Sequence, residues 1–156
     1  MSEKEWTLRE ALEYGIKMED DAIAFYTRLI DKVTNPGSKQ FLRELAIYKK
    51  NHKKIFEEAL RNPEELIAMC SLPADLRDYK VTENLREFDL SRDSTYQELL
   101  IFAIRVEQSS HDFYMFMAKQ FKAQDIGEIF ACFAREDLEH KLLLEKEYDS
   151  VILAEN

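Results

Sequence analysis

Turn formers are scarce in this sequence: its 156 residues include 3 glycines and 3 prolines. A fold of many short strands needs a turn every few residues, so the scarcity argues for long helices instead. Cysteine is nearly absent too. Cys70 and Cys132 stand alone and no Cys-x-x-Cys pair occurs, which excludes zinc knuckles, rubredoxin-type iron sites and disulfide frameworks. Two free thiols in a reducing cytoplasm are the expectation. No apolar run approaches the roughly 18 residues that cross a bilayer, and Met1 to Trp6 is polar and acidic. A cytoplasmic protein with no membrane partner follows. Positive charge is in short supply as well. Against 31 acidic residues there are 22 basic ones, a formal charge of -9, so the surface field repels phosphate backbones and anionic lipid and leaves no case for nucleic acid.

What is present is long-range amphipathic pattern. Hydrophobic residues make up 46% of the chain and charged residues 34%, which suits one domain over 1–156 with its own core. Helical periodicity covers about 7–33, 38–61, 95–122 and 125–153. Thr7 with Glu10, Thr95 with Glu98 and Asp125 with Glu128 have capping-box spacing, and Ser38, after Asn35-Pro36-Gly37, is the expected cap of the second helix. The sequence also repeats itself at an offset of 88. Leu12 matches Leu100, Ile16 matches Ile104, Glu19 matches Glu107 and Tyr26 matches Tyr114; further on, Leu45 matches Phe133, Ala46 matches Ala134 and His52 matches His140. One register through two helices without a gap identifies a duplicated helical hairpin. Residues 62–94, with Pro63 and Pro73 and no sustained period, read as a crossover carrying a short helix near Glu64 to Met69. The expected fold is therefore all-α: a four-helix bundle of two duplicated hairpins joined by one long crossover, the connectivity of ferritin-like folds.

The apolar stripes contain charges. Leu12, Ile16, Glu19, Ile23, Tyr26 and Ile30 share the first helix's stripe; Leu42, Leu45, Lys49, His52, Phe56 and Ala59 share the second's. The third carries Leu100, Ile104, Glu107, His111 and Tyr114, and the fourth Phe130, Phe133, Asp137, His140 and Leu144. Charges inside a bundle are costly unless they pair or bind metal. Two acids on the first and third helices, with an acid-x-x-His pair on another, have the residue types and spacing of two-metal bundles. The candidate ligands are Glu19, His52, Glu107, Asp137 and His140. The same residues admit a second reading, in which the acids are neutralised by Lys49 and His52 is a core histidine. His111 aligns with Ile23 and reads as packing, while the Tyr26 and Tyr114 hydroxyls are expected to seek a carboxylate.

At these residues the chain resembles the rubrerythrin-like branch of the ferritin-like superfamily. The resemblance runs through Met18-Glu19-Asp20-Asp21-Ala22-Ile23-Ala24-Phe25-Tyr26, Val106-Glu107 to Phe113-Tyr114, Leu45-Ala46 to His52, and Phe133-Ala134 to His140. That family places Glu on the first and third helices and Glu-x-x-His on the second and fourth. The resemblance implies a non-haem di-iron centre serving peroxide reduction, oxygen chemistry or iron handling, commonly in a homodimer. Asp137 departs from the pattern by one methylene. Lys49 departs more seriously, because an ammonium cannot ligate while protonated and repels a second cation. Being equivalent under the repeat, Lys49 and Asp137 should approach each other, and Lys49 is expected to pair with Asp137, Glu19 or Glu107. Full rubrerythrins add a rubredoxin-like domain with two Cys-x-x-Cys motifs, which these 156 residues lack, so redox turnover would need an external electron donor. Two functions stay open: an iron protein of oxidoreductase type holding one or two ions, with manganese or zinc as the other candidates, or a metal-free bundle with a structural or partner-binding role in which Lys49 supplies the metal's charge.

Overall fold

A computed structural model of the chain describes residues 5–62 and 95–155. Four helices and no strand occur among these residues: α1 (Leu8–Asp31), α2 (Pro36–Arg61), α3 (Tyr96–Gln120) and α4 (Asp125–Glu155). The expected crossover, its short helix and Cys70 lie outside the described residues.

Three of the four starts have a local cause, and α4 begins at Asp125 itself rather than after it. Thr7 accepts from the Glu10 amide at 3.1 Å while the Glu10 carboxylate accepts from the Thr7 amide at 3.2 Å, a complete capping box. Thr95 accepts from the Glu98 amide at 3.1 Å. The second helix starts two residues earlier than its spacing suggests. Asn35, not Ser38, is its cap: the Asn35 side chain accepts from the Ser38 amide at 3.1 Å, and Pro36 follows at the first helical position, where its fixed φ fits and its missing N–H is not needed.

α1 packs along α2, α3 along α4, and α1 also touches α3. The buried residues of every helix step by three and four: Leu12, Gly15, Glu19, Ala22, Tyr26 and Leu29 on α1; Leu42, Leu45, Lys49, His52, Phe56 and Ala59 on α2. Leu100, Ala103, Glu107, Ser110, Tyr114 and Met117 continue the pattern on α3, and Phe130, Phe133, Asp137, His140 and Leu144 on α4. This is the heptad seam of a four-helix bundle. On α1 it differs from the expected stripe. Ile16, Ile23 and Ile30 are only half-buried, and Gly15, Ala22 and Leu29 hold the core positions. Small residues that let helices approach are not conspicuous on a hydrophobicity pattern, and the neighbouring isoleucines drew the stripe off the seam.

The seams divide the core in two. One apolar cluster unites Leu29, Leu42, Leu100 and Leu144, and the other unites Leu12, Phe56, Met117 and Phe130. Between them, at the middle of all four helices, lies a polar layer containing Glu19, Lys49, His52, Glu107, Asp137 and His140, each at most 2% exposed. Gly15 sets the spacing beside that layer, one turn from Glu19: a Cβ there would lie 2.7 Å from the buried Phe56 ring.

The free-thiol expectation fails at Cys132. It is buried on α4 and disulfide-bonded. Distance in sequence carries no signal of closeness in space, so two isolated cysteines gave no warning of the bond, and cysteine usage no longer points to a reducing compartment. Among the described residues no helix is long and apolar enough to cross a membrane.

Gly15→Ala is expected to destabilise the fold by about 1–3 kcal/mol through overpacking against Phe56. Chemical denaturation checks this, and an unchanged midpoint would mean that α1 and α2 are not in tight contact there.

Candidate metal centre

The polar layer is built by convergence of seam positions from all four helices. Lys49, from α2, is 1% exposed and donates to Glu107 Oε2 at 2.7 Å and to Asp137 Oδ1 at 2.8 Å. The far oxygens of both acids are held from behind. Tyr26 donates its hydroxyl to Glu107 Oε1 at 2.7 Å, and the Ser110 hydroxyl donates to Asp137 Oδ2. His140 faces the same near oxygens, its Nδ1 lying 3.9 Å from Glu107 Oε2 and 3.8 Å from Asp137 Oδ1. Those distances are too long for hydrogen bonds, and His140 Nδ1 is buried without a hydrogen-bond partner. Its ring rests edge-on against Tyr48, with centroids 4.7 Å apart.

The other half of the layer is organised differently. Glu19 Oε1 accepts the Tyr114 hydroxyl and lies 3.4 Å from His52 Nδ1. His52 Nε2 is bonded to Glu136, a carboxylate that is 14% exposed, and the His52 ring stacks on Phe133 at 3.8 Å. Both ring nitrogens of His52 therefore face acids.

These contacts fix the charges. Burial works against the Lys49 ammonium, but Asp137, Glu107 and Glu19 outweigh it and raise its pKa. Burial likewise opposes a charge on His52, yet its bonds to Glu136 and Glu19 lift it from 6.5 to about 9, so it is a cation at neutral pH. Asp137 is held well below the usual carboxylate range: burial pushes it up, and Lys49, His140 and His52 push it down further. Glu107 goes the other way, raised by burial that Lys49 offsets only in part. One ammonium serves two acids, and Asp137 has the fuller claim. Burial and the facing carboxylates also keep the Tyr26 and Tyr114 hydroxyls protonated.

The 88-residue repeat is visible as geometry. Tyr26 bonds Glu107 and Tyr114 bonds Glu19, so the two pairs exchange partners between hairpins. At the edge of the layer, Lys53 meets Asp20 at 2.7 Å and Lys141 meets its equivalent, Gln108, at 2.6 Å. The symmetry breaks at Lys49 and Asp137, and again at Glu136, whose equivalent is Tyr48.

Glu107, Asp137 and His140 come together as expected, each offering a ligand atom within 4.8 Å of the others. Two carboxylate oxygens and a buried, unpartnered imidazole nitrogen are a donor set suited to a divalent ion such as iron, manganese or zinc. Glu19 and His52 lie close to each other but outside this group. A second ion on their side would have to displace the proton that Glu19 and Glu136 hold on His52. Lys49 takes two of the three acids expected of it, Asp137 and Glu107. His111 acts as a brace, with Nδ1 donating to the Ala134 carbonyl at 2.7 Å. Glu136 and Ser110 were missed. Ser110 sits on the α3 seam one step beyond Glu107, where heptad spacing would have found it; Glu136 is off the α4 seam and has no such signal.

A four-helix bundle with carboxylates and histidines meeting at mid-length defines a ferritin-like protein carrying a potential metal group. The chain matches the family model of rubrerythrin over residues 10–83 and 98–156, and it belongs to that family. No curated protein and no solved structure matches it.

Two outcomes are expected of the metal-free protein. Since the folded pKa of His52 is raised, its stabilising contribution is complete below pH 6.5 and lost as pH rises through about 9. Thermal unfolding should therefore show a falling midpoint across that window, and His52→Gln should flatten the fall; equal profiles would mean that His52 is neutral. Lys49→Ala, measured with chelator present, should lose about 3–5 kcal/mol because two buried acids are left without their cation. A loss below roughly 0.5 kcal/mol would refute the buried ion pair.

Proposed function

We propose that this protein binds one non-haem iron ion per chain through Glu107, Asp137 and His140, and that the ion and the Lys49 ammonium compete for the same carboxylates. The observation that carries this reading is the buried, unpartnered His140 Nδ1, aimed at Glu107 Oε2 and Asp137 Oδ1. Tyr26 and Ser110 hold the opposite oxygens, so the two carboxylate donors are oriented before any ion arrives. Withdrawal of Lys49 along its flexible stem would free both. Bound iron would supply redox chemistry toward peroxide or oxygen. The chain's own contribution is to orient the donors, to exclude water with the apolar clusters on both sides, and to keep Tyr26 and Tyr114 protonated beside Glu107 and Glu19. Turnover would draw electrons from an external donor, and a homodimer is the proposed working form.

A second reading rests on Lys49 itself. Its bonds at 2.7 and 2.8 Å already neutralise the acids that a metal would bridge, and on this reading the bundle is metal-free and serves a structural or partner-binding role.

Elemental analysis separates the two. Protein exposed anaerobically to ferrous iron is expected to hold about one iron per chain, rising toward two in Lys49→Glu, which restores the acid-x-x-His pair on α2. Absence of iron from both proteins would discard the metal reading and leave the structural one.

A further inference from the structure

We propose that a cleft between α1 and α3 binds small neutral hydroxyl compounds with an apolar body, namely phenols and alcohols. The cleft measures about 510 Å³, a size typical of small-molecule sites. Met18, Ala22, Phe25, Phe102 and Val106 make its walls apolar, and Glu19 and Lys49 lie at its polar end.

That end is incompletely satisfied in a complementary way. Glu19 is 1% exposed, and although its Oε1 faces Tyr114 and His52, its Oε2 is buried with no hydrogen-bond partner. A buried carboxylate oxygen left so is costly and calls for a donor. Lys49 spends two of its three N–H bonds on Glu107 and Asp137 and keeps one. A hydroxyl both donates and accepts, so one group can serve Glu19 Oε2 and the remaining Lys49 N–H. Charged heads match less well. A carboxylate would meet the unpartnered Glu19 oxygen, and an ammonium would meet Lys49 in a cleft that two further cations, Arg28 and Arg105, line against one further acid, Asp21. The site uses Lys49 where it bridges Glu107 and Asp137, so it belongs to the metal-free protein, in which no ion has displaced the ammonium.

Amide NMR titration of the full chain with chelator present tests this with three probes of one shape: 4-ethylphenol, ethylbenzene and 4-ethylbenzoate. Saturable shifts are expected with 4-ethylphenol at Met18, Ala22, Phe25 and Val106, with affinity about tenfold or more above that of ethylbenzene, because a site with unpaired polar groups rejects the analogue lacking the hydroxyl. 4-Ethylbenzoate should bind more weakly than 4-ethylphenol. Val106→Trp, which fills the cleft, should abolish the shifts. Should that variant not fold, the probe series on the unaltered protein decides by itself. No saturable shift with 4-ethylphenol, equal affinity for ethylbenzene or 4-ethylbenzoate, or shifts centred elsewhere would overturn the proposal.

Discussion

The interior of this bundle depends on one ammonium. Glu107 and Asp137 face each other in a buried layer flanked by two apolar clusters, where two bare carboxylates would repel each other with little water to screen them. Lys49 bridges them, and the neighbouring groups are disposed around that bridge: Tyr26 and Ser110 take the oxygens that Lys49 does not reach. The second positive charge arises by induction. His52 is a cation because Glu19 and Glu136 grip both of its nitrogens. The layer thus sets Lys49 and His52 against Glu19, Glu107, Asp137 and Glu136, and burial, which Lys49 offsets only in part, pushes the Glu107 pKa up.

The heptad seam gives this arrangement its stiffness. Each helix carries buried apolar side chains on its seam to both sides of the layer, Leu12 and Leu29 on α1, Leu42 and Phe56 on α2, Leu100 and Met117 on α3, Phe130 and Leu144 on α4, so the backbone there is fixed by packing that has nothing to do with charge. Gly15 shows how close that packing is. The energetic cost of the layer is offset by the two clusters, and its geometry is inherited from them.

Much of this was legible in the sequence where large side chains mark the seam. On α2 and α4, Leu42, Phe56, Phe130 and Leu144 frame Lys49, His52, Asp137 and His140 without ambiguity. α1 was harder because its seam runs through Gly15 and Ala22, and a scan for hydrophobicity prefers Ile16 and Ile23. The repeat was the strongest guide to the site: equivalence under the offset of 88 brought Lys49 to Asp137 before any coordinate did. It could not bring Glu136, since that acid departs from its equivalent, Tyr48, and lies off the seam. Nor could periodicity say which nitrogen of His52 meets which acid, or that the meeting would charge the ring. Those are properties of three-dimensional neighbours from different helices.

The exchanged tyrosines have a larger meaning. Glu19 and Tyr26 sit seven residues apart on one helix, about 10 Å along its axis, and cannot reach each other; each finds its partner on α3, Glu19 at Tyr114 and Tyr26 at Glu107. The crossed pairing requires α1 and α3 to run in opposite directions in a single alignment, since a slip of one turn would part both bonds at once. It is also one bond made twice, the self-complementary pattern of two identical subunits about a twofold axis. The chain therefore carries, within a single polypeptide, the symmetry of a homodimer of hairpins, kept in its frame by the crossed tyrosines and broken at its centre by Lys49, Asp137 and Glu136.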